Sequence, residues 1–317
     1  MGQQIQFIMV EAKTQVLYDH DIGNALSMNE AIAVIREALA KKHMGKMTEP
    51  VRSGIAMGDT SLVWTPGGFQ DDGIIGLRLY LTGISGSDQL ISVWDTNSGR
   101  IKCMNVGSLL GIFRTAAIGG AAIDVLSRKD SRTLCIIGPG QQGSMQARAA
   151  CSVRDIERIF VYRRNQELLK EDSKRLSRDL GVEVVPVDKA RDGVENADIV
   201  VVATNSPEPV IKREWLKPGT HINSLGPKYH GYTELDPDIL NNSNIICSDF
   251  REKYRAEDNF LLHGTGKMSE LKDLAELAAT GFSRDENGIS LFLSHGLPGT
   301  EVKLLDYVFG KIKRNMA

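Results

Sequence analysis

The sequence predicts an α/β fold, a doubly wound parallel sheet with a smaller α+β unit beside it, and three observations carry that expectation. Thr133 to Gly143 reads TLCIIGPGQQG, where an apolar run from Leu134 to Ile137 stops at Gly138-Pro139-Gly140 and opens into a stretch of helical composition. Further apolar runs follow at Arg158 to Tyr162, Val182 to Val185, Asp198 to Ala203, His221 to Leu225 and Asn244 to Cys247, mostly with helical segments between them. Continuous rather than alternating runs mark strands buried on both faces, as in a parallel sheet covered by helices. From Arg52 to Met104 the chain changes to short apolar pieces separated by Gly, Ser, Asp and Asn, which are signs of an antiparallel sheet.

In order, Gln15 to Tyr18 reads as a short strand, and Ser27-Met-Asn-Glu30 has capping-box spacing ahead of an amphipathic run from Ala31 to Lys42 that ends at Gly45. Ser61 to Thr65, Ile74 to Thr82, Leu90 to Asp95 and Arg100 to Met104 supply the small sheet. Leu109 to Leu126 resumes helical spacing and leads into the second unit, and Glu301 to Asn315 forms an amphipathic helix that returns to the first. At 317 residues the chain is too long for one typical compact core. A net charge of −2 gives no general attraction to nucleic acid or an anionic membrane. Cys103, Cys135, Cys151 and Cys247 form no C-x-x-C pair, which suits reduced thiols, a cytoplasmic location and no metal site. The amino-terminal MGQQIQFIMVEAKTQ lacks the apolar core of a leader, and Gln6 stands where a myristoylation signal after Met1-Gly2 needs Ser or Thr.

Gly138, Gly140 and Gly143 stand in G-x-G-x-x-G register, with Gln141 and Gln142 at the opening of the helix. Such a turn lets backbone N–H groups approach a pyrophosphate at a helix N-terminus, so the second unit is predicted to be a Rossmann dinucleotide-binding domain. About 20 residues on, an acidic residue would accept hydrogen bonds from a ribose 2′-OH. Here the strand Ile159-Phe-Val-Tyr162 continues into Arg163-Arg164-Asn165. Two guanidinium groups suit a 2′-phosphate, so NADP(H) is expected rather than NAD(H). On the alternative reading, Arg163 and Arg164 open a solvated helix alongside Glu167 and Lys170.

Glu49-Pro-Val-Arg52, Gly76-Leu-Arg78, Phe113-Arg114-Thr115-Ala116-Ala117, Gly138-x-Gly140-x-Gln142, Val202-Ala-Thr204 and Ser294-His-Gly296 resemble, in order and spacing, ornithine cyclodeaminase and mu-crystallin proteins over nearly the whole chain. The resemblance implies a substrate-binding and dimerisation domain over 1–115 with 300–317, a Rossmann domain over 116–299, and a homodimer formed through the small sheet. It also implies hydride exchange between a nicotinamide and the Cα–N bond of an amino acid or imine. Arg52, Arg78, Arg114 and Lys228 are the implied catalytic set; Thr115, Thr204, Ser224, Leu225 and Ser294 join the glycine turn in cofactor contact.

Two departures matter. Arg78 replaces the cyclodeaminases' lysine, and counting back from Thr233-Glu234-Leu235 puts Lys228 where they carry a catalytic aspartate. A guanidinium or ammonium cannot serve as the neutral-pH base that a carboxylate is. The expectation is therefore an oxidoreductase for an amino-acid-derived imine bearing more than one anionic group. Arg52 and Arg114 would hold the α-carboxylate, Arg78 would fix a second acid or polarise the imine, and Lys228 or water would give the proton. A slip of one or two places would bring Tyr229 or His230 to that position instead, and His295 is a further candidate. A lyase using bound NAD with no net redox change, and a non-enzymatic ligand carrier, are the alternatives from other classes.

Overall fold

The computed structural model describes residues 14–84, 86–257 and 259–316, so the Met1–Gly2 and Gln6 reading lies outside the described residues. The first sheet has the order Gln15–Tyr18, Ile101–Val106, Gln89–Asp95, Ile74–Thr82, Thr60–Phe69, Met47–Thr48, and Ser53–Met57 pairs on Thr60–Phe69. It is mixed rather than antiparallel, because Gln15–Tyr18 runs parallel to Ile101–Val106. The reason is the connection: two helices, Asp19–Ala25 and Met28–His43, and five further strands lie between the two partners among the described residues, so no hairpin joins them and a parallel pairing is open. The Ser27 hydroxyl accepts from the Glu30 amide (3.3 Å) and the Glu30 carboxylate accepts from the Ser27 amide (2.9 Å), the reciprocal cap that starts the helix at Met28.

One face of this sheet is covered by the C-terminal helix Thr300–Met316, whose Val302, Leu305, Val308 and Phe309 share a core with Ile91, Val93 and Cys103. Each such buried side chain contributes about 1.5–3 kcal/mol of transfer free energy. The same core reaches Ile32, Ile35 and Leu39 and the helix Leu109–Leu126. That helix is long and apolar enough to cross a membrane, but it is 78 % buried within the protein.

The second sheet is parallel throughout, in the order Glu183–Pro186, Arg158–Tyr162, Thr133–Ile137, Ile199–Val202, His221–Ser224, Ser290–Leu293, Ile245–Ser248, Lys272–Asp273. Two strands go beyond the sequence reading. Ser290–Leu293 inserts between His221–Ser224 and Ile245–Ser248, and Lys272–Asp273 forms the edge. The order reverses direction between Thr133–Ile137 and Ile199–Val202, where a crevice opens at the carboxyl ends of the strands.

Candidate active site

The crevice is built by the glycine turn. Gly138 has φ +88°, and a Cβ there would stand 2.6 Å from the Ala203 carbonyl oxygen, so the turn requires glycine. A Cβ on Gly143 would run into the Gly138 carbonyl as the helix Gln141–Val153 packs against the strand, whereas one on Gly140 would meet nothing within 4 Å. That open side at a helix N-terminus, with the first-turn amides of Gln141, Gln142 and Gly143 facing it, fits a pyrophosphate. The groove beyond is about 1050 Å³ and includes Gly138, Gly140, Tyr162, Arg164, Thr204 and Trp215, enough for a dinucleotide.

The two arginines behave differently from one another. Arg163 is ion-paired to the buried Asp172, which Arg175 also holds at 2.6 Å. Arg163 nonetheless lines the groove, so the Asp172 pair offsets part of its charge without taking it away from the cofactor side. Arg164 and Lys189 line the same groove, and neither of these two makes an ion pair among the described residues. Ser224 is corrected: it is fully buried, and its hydroxyl donates to Glu234 Oε1 (2.8 Å) rather than facing the groove. Glu234 organises that side of the crevice, accepting from the Thr204 amide (3.0 Å), the Thr204 hydroxyl (2.9 Å) and the Gly226 amide (2.6 Å) as well.

A second cavity of about 430 Å³ meets the groove at Asn205, which lines both. Arg52, Arg114, Thr115, Leu225, Lys228 and Ser294 line it, so three of the four residues of the implied catalytic set converge here. Arg52 donates to the His295 carbonyl (3.0 Å) and lies 3.4 Å from the Tyr80 hydroxyl. Lys228 is buried, and its ammonium donates to two neutral carbonyls, Gly226 O (2.6 Å) and Ser294 O (3.2 Å). Burial pushes its pKa down to about 8, with Glu234 and Asp249 acting in the opposite direction.

Arg78 does not line the cavity. Its Nε donates to Gln89 (3.0 Å), its Nη1 to Glu301 (3.0 Å), and it stacks over the Tyr80 ring at 4.3 Å. Glu301, 1 % exposed, also pairs with Arg114. Burial alone would raise the Glu301 carboxyl, but the guanidiniums of Arg114 and Arg78 hold it below the usual carboxylate range. Arg78 is thus a support for Arg114 rather than a group that grips a second acid. His230 is exposed and does not line the cavity; Tyr229 does, stacked on Phe260 at 4.8 Å.

Four contributors were missed in sequence. Asp249 fixes the 295–297 turn by accepting from the amides of His295 (2.8 Å), Gly296 (2.9 Å) and Leu297 (3.1 Å); its place immediately after the strand Ile245–Ser248 was the available signal. Lys253 lines the cavity, buried beside Phe260. Glu301 and Asn205 carried no local signal.

Residues 12–315 match the profile of the ornithine cyclodeaminase/mu-crystallin family. A Delta(1)-pyrroline-2-carboxylate reductase of Bacillus cereus is 27 % identical over 304 residues, 90 % of this chain and 93 % of that protein. An iminosuccinate reductase of Paracoccus denitrificans is 31 % identical over 159 residues, about half of each chain (50 % and 49 %). Among solved structures, Thermococcus litoralis Delta(1)-pyrroline-2-carboxylate reductase, in complex with NADH and L-proline, superposes with a TM-score of 0.87 at 27 % identity, covering 96 % of this chain and 99 % of that one.

Proposed function

The chain belongs to the ornithine cyclodeaminase/mu-crystallin family, and from that premise we propose that it is an NADP(H)-dependent oxidoreductase acting on the carbon–nitrogen bond of an amino-acid-derived imine with more than one anionic group. The observation that carries this reading is the meeting of Arg52, Arg114 and Lys228 in one cavity that joins the dinucleotide groove at Asn205. The bound nicotinamide would supply the hydride. Arg52 and Arg114 hold the α-carboxylate, Arg114 being aimed by Glu301. Lys228, with a pKa near 8 and donors directed by two carbonyls, delivers the proton to nitrogen. Asp249 and Gly296 shape the wall: with φ +78°, Gly296 passes so close to Arg114 that a Cβ would strike its guanidinium.

A lyase route would call for a carboxylate base, and no Asp or Glu lines the cavity among the described residues; this supports reduction over cyclodeamination. A multiply anionic substrate agrees with that uniformly cationic lining, and one relative is named for reducing an imine with two carboxylates. Preference for NADP(H) over NAD(H) rests on Arg164 and Lys189 in the groove and on the missing acid after Tyr162. We also propose the division 1–115 with 300–317 against 116–299, which assigns Arg52 to the first unit and Lys228 to the second, and a homodimer through the first sheet. The exposed Ile55, Met57, Ile75 and Leu81 of that sheet support the dimer, and a monomeric mass by light scattering at micromolar concentration would refute it. Four unbridged cysteines accord with a cytoplasmic protein.

The test is oxidation of NADPH by purified protein with 2-oxo acids plus ammonia or amines, followed by nicotinamide absorbance. Activity that vanishes in Arg114→Ala with the fold retained supports the assignment; unchanged kinetics in that variant removes Arg114 from the site.

A further inference from the structure

Lys253 and His295 occupy one corner of the cavity, and neither is used by the chemistry above. Lys253 comes from the short helix Arg251–Ala256, is 5 % exposed, and holds its ammonium 5.3 Å from the centroid of the Phe260 ring. The His295 ring packs edge-on against the same Phe260 (4.8 Å) and against Tyr254 (4.5 Å). Phe260 is thus a neighbour of both polar groups. The ion pair Lys253 makes among the described residues is with Glu257 at 3.9 Å, beyond hydrogen-bond distance. His295 Nε2 is buried with no partner, and burial, together with the Lys228, Lys253 and Arg52 cations, keeps the imidazole neutral. Both residues line the cavity. A buried ammonium without a close anion, in the same cavity as an unpaired ring nitrogen, is costly unless a ligand completes it.

We propose that Lys253 and His295 form the seat of a second carboxylate, so that the enzyme takes the imine of a short 2-oxo dicarboxylic acid, the α-carboxylate lying on Arg52 and Arg114 and the distal one on Lys253. The inference rests on the reductase reading for its imine, not for its second anion. A carboxylate fits better than a phosphate: the single ammonium of Lys253, with Glu257 at 3.9 Å, matches at most one negative charge, whereas a phosphate dianion calls for several donors or an arginine fork. This replaces Arg78, held by Glu301 and Gln89, as the group that reads the second acid.

The experiment measures binding apart from turnover. Calorimetry with NADP⁺-loaded protein compares oxaloacetate and 2-oxoglutarate with pyruvate and with phosphonopyruvate. The expected result is binding of at least one dicarboxylate roughly tenfold or more tighter than pyruvate, reduced about 30-fold in Lys253→Met and partly restored in Lys253→Arg. Circular dichroism and the unfolding midpoint establish that each variant is folded, and Lys253→Gln serves if the methionine variant is not. Equal affinity for mono- and dicarboxylates, or an unchanged dicarboxylate affinity in the folded Lys253 variants, overturns the proposal. Tighter binding of the phosphonate than of either dicarboxylate overturns the carboxylate assignment. Dicarboxylate selectivity without NADPH oxidation by any imine would defeat the reductase reading alone, and imine reduction without that selectivity would defeat this inference alone.

Discussion

Replacing Glu301 with glutamine tests whether one buried carboxylate holds the arginine layer beneath the site. Its oxygen serves both Arg114, whose side chain is 7 % exposed, and Arg78, at 15 %. Glutamine keeps the shape but removes the charge, leaving two desolvated guanidiniums facing one another. Breaking a buried ion pair by removing one partner costs about 3–5 kcal/mol. The lower end applies here, because Arg78 keeps Gln89 and the Tyr80 ring as partners, so we expect about 3 kcal/mol. At ~2–4 °C per kcal/mol for a protein of this size class, the unfolding midpoint falls by roughly 6–12 °C. The pH dependence has a definite sign. Glu301's folded pKa lies below its usual 4.5, so its contribution is fully present above the unfolded pKa and is lost as pH falls through the folded one. Wild type therefore loses this contribution only below pH 4.5, and the variant has none to lose. Thermal unfolding of wild type and Glu301→Gln at pH 7 and pH 4 reads both effects. A midpoint change under ~2 °C at pH 7 would show that the arginines do not depend on this carboxylate.

Two further outcomes follow from the same geometry. With the Lys228 ammonium titrating near 8, the rate of imine reduction should fall as pH rises through that value, and Lys228→Met should lower kcat by about 10²–10⁴-fold while leaving the KM for NADPH within about threefold; a flat profile between pH 7 and 9.5 counts against Lys228 as donor. Arg164→Asp should raise the KM for NADPH at least tenfold and improve relative use of NADH, whereas equal use of both cofactors by the wild-type protein would defeat the phosphate assignment.

What could be read from the sequence was what short stretches encode by themselves. The turn at Gly138, the helix cap at Ser27 and the apolar runs Leu134 to Ile137 and Asp198 to Ala203 follow from backbone sterics and local burial, and the two runs form the strands Thr133–Ile137 and Ile199–Val202. What escaped depends on contacts between distant segments. Glu301 meets Arg78 across 223 residues, so no spacing rule could show that Arg78 is tied up, and Arg163 finds Asp172 only after the helix Gln166–Leu180 turns back over its strand. Lys253 stands in a charged stretch of sequence, and it is the packing of Phe260 and Tyr254 that buries it. Ser290–Leu293 escapes a reading in chain order because its partners, His221–Ser224 and Ile245–Ser248, are joined to it only through the sheet.

The central claim is hydride delivery to the imine carbon, and it is tested most directly by isotope transfer. Purified protein would be incubated with NADPH carrying deuterium at both C4 positions, a 2-oxo dicarboxylic acid and ammonia, and the amino-acid product analysed by mass spectrometry. The account predicts one deuterium at Cα per NADPH oxidised, with transfer abolished in Arg114→Ala. Amino-acid turnover that releases ammonia with no consumption of the reduced nicotinamide, or a product free of deuterium at Cα, would contradict it.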